Sequence, residues 1–194
     1  MSSSTITSIH DLHKFVDGKN RKTPFPVDSI TGSLVTIGYT HHEIHEQNGY
    51  SFFVKNYSVA NSGTYAITIE VPTGMTFHLK QLDPWINNAH GEIDFIQAPS
   101  SYSGGTTVVA YNRHTGSSAT SGITIKRSAT FAGGTIKDTL TFGGGGANVA
   151  SRTGGPNNTE IEWILNSATV FVLNERNLSG TSATISFRAT GYKE

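Results

Sequence analysis

The chain has 194 residues, with 14 basic and 14 acidic side chains, 21 glycines, 6 prolines, no cysteine, 36% hydrophobic and 14% charged residues. Zero formal net charge speaks against the clustered Lys and Arg that neutralise a phosphate backbone, so no nucleic-acid partner is expected. Without cysteine there is no disulfide framework, thiolate metal site or cysteine nucleophile, and the length fits one principal domain.

A low apolar fraction with abundant Gly, Ser, Thr and Asn points to many short strands joined by tight turns rather than to helices. Residues 1–13 are Ser/Thr-rich without a basic stretch or an apolar run, so classical secretion is not expected. The most apolar windows, Trp163-Ile164-Leu165 and Val170-Phe171-Val172-Leu173, fall far short of the roughly 20 residues that a membrane helix needs. No membrane partner is expected.

Residues 1–30 carry Lys14, Lys19, Arg21 and Lys22, then Pro24, Phe25 and Pro26, with little alternation, and read as an extended N-terminal arm. Within it Ile9, Leu12, His13 and Val16 share one helical face, which allows a short helix over 8–16 ended by Gly18. Such an arm buries too little apolar surface to fold alone, so it is either disordered or laid against a neighbouring subunit. In the second case Lys14, Lys19, Arg21, Lys22 and Phe25 are its contact residues.

Residues 31–194 read as one β domain. Period-two alternation with turn punctuation places strands over 51–58, 64–71, 75–80, 92–97, 106–111, 123–131, 135–142, 161–165, 169–174 and 183–189. Tyr65, Ile67, Ile69 and Val71 share the inner face of the second of these, and Ala183, Ile185, Phe187 and Ala189 that of the last. No amphipathic crossover helix separates any pair, so the expected fold is an all-β antiparallel sandwich, jelly-roll-like, with an N-terminal arm. Two glycine clusters, Gly143 to Gly146 and Gly154 to Asn158, bracket a stretch almost without apolar residues and read as one long flexible loop. A functional loop and a solvated tip fit it equally well.

The densest titratable cluster is His41-His42-Glu43-Ile44-His45-Glu46. Its spacing fails the zinc-protease helix motif, because the position four after His42 is Glu46 and the residue after His41 is not Glu. On a strand, His41, Glu43 and His45 would share one side, which is a three-ligand facet for zinc. The competing reading, a hydrogen-bonded cluster at a strand entry or subunit contact made of His41, His42, Glu43 and His45, is preferred, and no metal or cofactor is expected. Histidines at such a contact would make assembly sensitive to pH.

No serine lies in a Gly-x-Ser-x-Gly elbow, and the glycine loop lacks the Lys-Ser/Thr ending of a phosphate cradle. The pairs Glu160 with Glu162 and Glu92 with Asp94 have no apolar setting to tune one member as an acid, and read as solvated faces. No catalytic residues are assigned and the chain is not expected to be an enzyme. Among the aromatics, Trp85, Tyr102, Tyr111 and Trp163 are the candidates for holding a pyranose face; Trp163 falls in phase with Ile161 and Leu165 and reads as core. Trp85, between Pro84 and Asn87-Asn88, reads as an exposed loop residue, and with Tyr102 it is the candidate platform for a sugar face.

Several segments carry a resemblance: His41 to Glu46 followed by Tyr50-Ser51-Phe52-Phe53-Val54, then Tyr111-Asn112-Arg113, the glycine-rich loop, Glu162-Trp163-Ile164-Leu165, and Ile185-Ser186-Phe187 through Tyr192. In these, over about residues 40–194 and in order, the chain resembles virion proteins of tailed bacteriophages and prophages, of the capsid decoration (cement) or head-associated kind. The resemblance implies a β-sandwich or jelly roll, commonly a homotrimer, bound to the major capsid protein on the outside of the shell. It also implies a virion location, after synthesis in the host cytoplasm. Residues 1–40 lie outside it. The alternative expectation is a receptor- or glycan-binding virion appendage, such as a fibre head or tail-associated module.

Overall fold

The computed structural model describes residues 15–16, 22–23, 43–87, 90–143, 151–152 and 162–194. The chain forms two units, Met1–His42 and Glu43–Glu194. In the first, strands β1 (Phe15–Val16) and β2 (Lys22–Thr23) pair antiparallel, Phe15 opposite Thr23. The helix that the sequence allows over 8–16 therefore does not form at its Phe15–Val16 end, where pairing with β2 replaces local helical bonds. Of the arm residues, Lys14, Lys19, Arg21 and Phe25 lie outside the described residues, and Lys22 is described in its backbone alone.

The second unit is an all-β sandwich of two antiparallel sheets. The front sheet runs β11 (Ser151–Arg152), β5 (Phe77–Ile86), β14 (Ala183–Lys193), β3 (Gly49–Val59), β8 (Tyr111–Asn112), and β12 (Trp163–Leu165) also pairs with β5. The back sheet runs β10 (Thr135–Gly143), β6 (His90–Gln97), β13 (Thr169–Asn177), β4 (Thr64–Val71), β9 (Thr124–Ala132), β7 (Ser101–Val108). The core lies between them, with Phe52, Phe77, Leu79, Ile185 and Phe187 from the front meeting Ile67, Ile69, Ile93, Leu173 and Phe142 from the back. Each such side chain contributes about 1.5–3 kcal/mol by leaving water. The alternation expected for 64–71 and 183–189 is present, with Ile67, Ile69, Ile185 and Ala189 fully buried.

The back sheet is folded from a long ribbon. β6 runs into β7 through 98–100 while β9 runs into β10 through Gly133 and Gly134, so the four strands form one antiparallel ribbon with a corner. Ala98, Gly133 and Gly134 all take positive φ there, and the Ser100 amide donates to the Ala132 carbonyl at 2.9 Å. A Cβ at Gly134 would stand 2.6 Å from Ile96 Cγ2, so the corner needs glycine for space as well as for its backbone angle. Beyond the corner Phe131 packs on Ala66, Ile96 and Val172, which is why the face of β4 opposite the core is buried as well. Sequence alternation assigned that face to solvent.

β9 leaves β4 after Arg127, at Ser128, whose φ is 55°, and continues with β7 alone. The gap between the diverging strands is an open depression of about 400 Å³ beside Tyr65, Ala66 and Phe131. Gly104 and Gly105, opposite this point in β7, also have positive φ. The strand expected over 106–111 is instead β7 from Ser101 to Val108, which runs through both glycines, with β8 separate.

Candidate functional site

The outer face of the front sheet gathers most of the chemistry among the described residues. At one end, β5 and β14 set His78 beside Tyr192, with Ile164 of β12 on the other side of His78. The rings of His78 and Tyr192 stack with centroids 4.4 Å apart. Glu162, just before β12, bonds His78 Nδ1 at 2.9 Å, and accepts from the Tyr192 hydroxyl at 2.8 Å and from Lys80 Nζ at 3.0 Å. Glu194 holds the other ring nitrogen of His78 at 3.0 Å. A carboxylate can only accept, so both ring nitrogens donate at once only in the imidazolium form. The hydrogen bond from Tyr192, followed by those from Lys80 and His78, draws the Glu162 carboxyl down to about 2 against the opposing effect of burial. The network closes β12 and the end of β14 onto β5.

Further along the same face Phe53, Arg188 and Asp83 lie in one row across β3, β14 and β5. Their neighbours Phe52, Val54 and Phe187 point into the core, so alternation sends these three outward. Arg188 Nε stands 3.9 Å from Asp83, and Gln81 Nε2 bonds both Asp83 oxygens at 3.0 Å. Phe53 stacks with Tyr111 of β8 at 6.1 Å and 14°.

The sequence expectations meet this geometry unevenly. Glu43 and His45 belong to a single helical turn over 43–45, so the strand alternation that would have aligned His41, Glu43 and His45 does not exist there. Glu43 is buried and accepts from Asn48 Nδ2 at 3.1 Å, while its carbonyl accepts from the Asn48 amide at 2.8 Å; it shapes the entry to β3. His41 and His42 lie outside the described residues. No group of three or more His, Asp or Glu positioned for a metal ion occurs among the described residues.

Trp85 is not in a loop. It lies in β5, half-buried, between Ser186 and Arg152 of the neighbouring strands. The adjacent Pro84 suggested a break, but β12 pairs only 77–79 and β11 only 85–86, so the missing N–H of Pro84 faces a stretch of β5 without a partner strand on that side, among the described residues. Tyr102 is exposed, as expected, on β7; desolvation, and to a lesser extent Glu70, push its phenol up. The two expected platform residues stand on different sheets.

Trp163 is core-packed as expected, stacked on Phe95 at 4.4 Å. The Glu92 and Asp94 pair is not a simple solvated face. Arg176 bridges both at 2.7 and 3.1 Å, and Thr139 donates to Asp94 at 2.8 Å, which lets Asp94 be buried. Glu160 and most of the glycine loop, 144–150 and 153–161, lie outside the described residues, and the two-residue strand β11 interrupts that loop. Among the described residues, no helix is long and apolar enough to cross a membrane.

Tyr111 is one of the aromatics the sequence offers for a sugar face, but its grouping with Phe53, Arg188 and Asp83 is not legible there, because residues 53, 83, 111 and 188 lie far apart in the chain. Compared with family models, curated proteins and solved structures, the chain matches none.

Proposed function

We propose that the chain is a structural virion protein that decorates the outside of a phage head, assembling with copies of itself and bridging capsomers. The observation that carries this reading is β7. It is the outermost strand of the back sheet, seven of its eight residues are exposed, and it contains neither a charge nor a proline. Monomeric proteins protect an open edge with lysine, proline or a covering segment. A bare edge of this length suits pairing with another protein strand. The opposite outer strand, β10, offers a second edge with Ile136 exposed. Joining β7 of one copy to β10 of the next is a head-to-tail contact, which makes a ring where the rotation between copies closes, and closure after three copies would match the trimer expected from the resemblance. The N-terminal segment would add a second point of attachment at high effective concentration once the ring has docked.

The test combines oligomeric mass by light scattering with co-sedimentation on undecorated phage heads. The expected result is a trimer that saturates heads at a fixed copy number. Thr106→Glu faces Arg127 across the β7–β9 ladder, so it leaves the fold intact while charging the edge, and it should yield monomers. Deleting residues 2–28 should abolish head binding while leaving the ring. A wild-type protein that ignores heads would sink the reading.

A further inference from the structure

Independently of any head, the outer face of the front sheet carries a row of exposed aromatic and polar side chains. Phe53 and Tyr111 are 44% and 55% exposed, although aromatic rings of this size normally seek burial. Their planes are within 14° of parallel with centroids 6.1 Å apart, too far for face-on overlap, so the rings are laterally offset and each leaves part of a face open. The surroundings are polar rather than aliphatic. Arg188 is directly opposite Phe53, Asp83 is directly opposite Arg188, and Gln81 fixes both Asp83 oxygens. Three strands at about 4.8 Å spacing make this row roughly 10 Å long, the reach of a disaccharide.

Charge selects among sugars. Lys55 Nζ stands 5.1 Å from the Phe53 ring centroid, and Arg113, exposed, follows Tyr111 at the same edge, where its amide donates to the Gly49 carbonyl at 2.8 Å. With Arg188 opposite Phe53, two cations flank the Phe53 ring, and Asp83 is the one carboxylate of the row. Arg188 meets Asp83 only through Nε at 3.9 Å, which leaves the guanidinium edge available for bidentate contact with a carboxylate. We infer that this face is a binding site for an acidic oligosaccharide, one whose sugars carry carboxylates. A pyranose C–H face lies on Phe53 and Tyr111, its hydroxyls meet Asp83 and Gln81, and its carboxylate meets Arg188 with Lys55 nearby. An apolar protein partner would not call for this polar row.

Titration calorimetry of the full-length protein with tetragalacturonate, and with maltotetraose as the neutral control, tests the assignment. Tetragalacturonate should bind and maltotetraose should bind at least about tenfold more weakly, with the difference shrinking as salt rises. Tyr111→Ala should weaken tetragalacturonate binding about tenfold, and Arg188→Gln should bring the acidic and neutral ligands to similar affinity. Both side chains are exposed, and unchanged circular dichroism establishes that the variants fold. Failure of tetragalacturonate to bind, equal binding of the two sugars by the wild type, or a Tyr111→Ala variant that binds like the wild type would each overturn the inference. Because heads are absent from the assay, none of these outcomes bears on decoration.

Discussion

Glu175 and Tyr65 lie directly opposite each other where β13 pairs with β4, and Glu175 shares the inward parity of Phe171 and Leu173, so its carboxyl enters the core between the sheets. Tyr65 stacks on Tyr57 at 3.6 Å, and the Tyr57 hydroxyl is itself buried without a partner among the described residues. Neither oxygen of Glu175 is hydrogen-bonded among the described residues. Burial without compensation pushes its carboxyl well above the ordinary value of 4.5, so the folded protein keeps the Glu175 proton at pH values where a free carboxyl has lost it.

This placement makes stability fall as pH rises. The folded state keeps a proton that the unfolded chain releases near 4.5, so the full contribution is present below that pH and is lost upward through the raised folded value. Denaturant midpoints measured from pH 4.5 to 8.5 should decline, and Glu175→Gln, which cannot ionise, should flatten the decline. Glu175→Met should stabilise the protein at pH 7 by about 1–3 kcal/mol, the cost of an unsatisfied buried polar group.

The Glu162 network has the opposite sign. Its carboxyl is held near 2 in the folded state against 4.5 when free, so its contribution is present above 4.5 and disappears as pH falls toward 2. Glu162 is 37% exposed, and solvent screening limits the effect to about 1 kcal/mol. Glu162→Gln should therefore lower the thermal midpoint slightly at pH 7, and should match the wild type near pH 2.

Asn177 is a buried hub. Its Nδ2 donates to the carbonyls of Val59 and Thr181, both at 2.8 Å, and its Oδ1 accepts from the Ser179 amide at 3.0 Å. Asn177→Ala strands these backbone groups and should cost about 2–3 kcal/mol. Urea unfolding should show the loss as a lower midpoint at unchanged slope.

Gly191 in β14 faces the core against Phe77. An added Cβ would stand 2.7 Å from Phe77 Cε1 and collide with the His78 carbonyl oxygen, which is backbone and cannot yield. Gly191→Ala should cost about 2–4 kcal/mol and should also disturb the His78–Tyr192 stack, seen in the ring proton shifts of Tyr192.

Alternation alone determined that the chain is all-β, placed most of its strands, and assigned Ile67, Ile69, Ile185 and Phe187 to the core, because the side-chain period of a strand is local and needs no partner to be read. It also placed Trp163 in the core. Tertiary structure decided the rest. Trp85 beside Pro84 reads as loop and a strand is expected only from Thr106, yet Pro84 and Gly104-Gly105 lie within strands, since a proline next to a gap and glycines opposite Ser128 satisfy the ladder in ways that depend on which strand is the neighbour. The folded-back ribbon buried Ala66 and Val172 on a face that local periodicity gave to water. Pairing over more than 100 residues of separation brought Arg188 beside Phe53 and His78 beside Tyr192. Register between distant strands is set by the packing of the whole sandwich, so no window of sequence contains it.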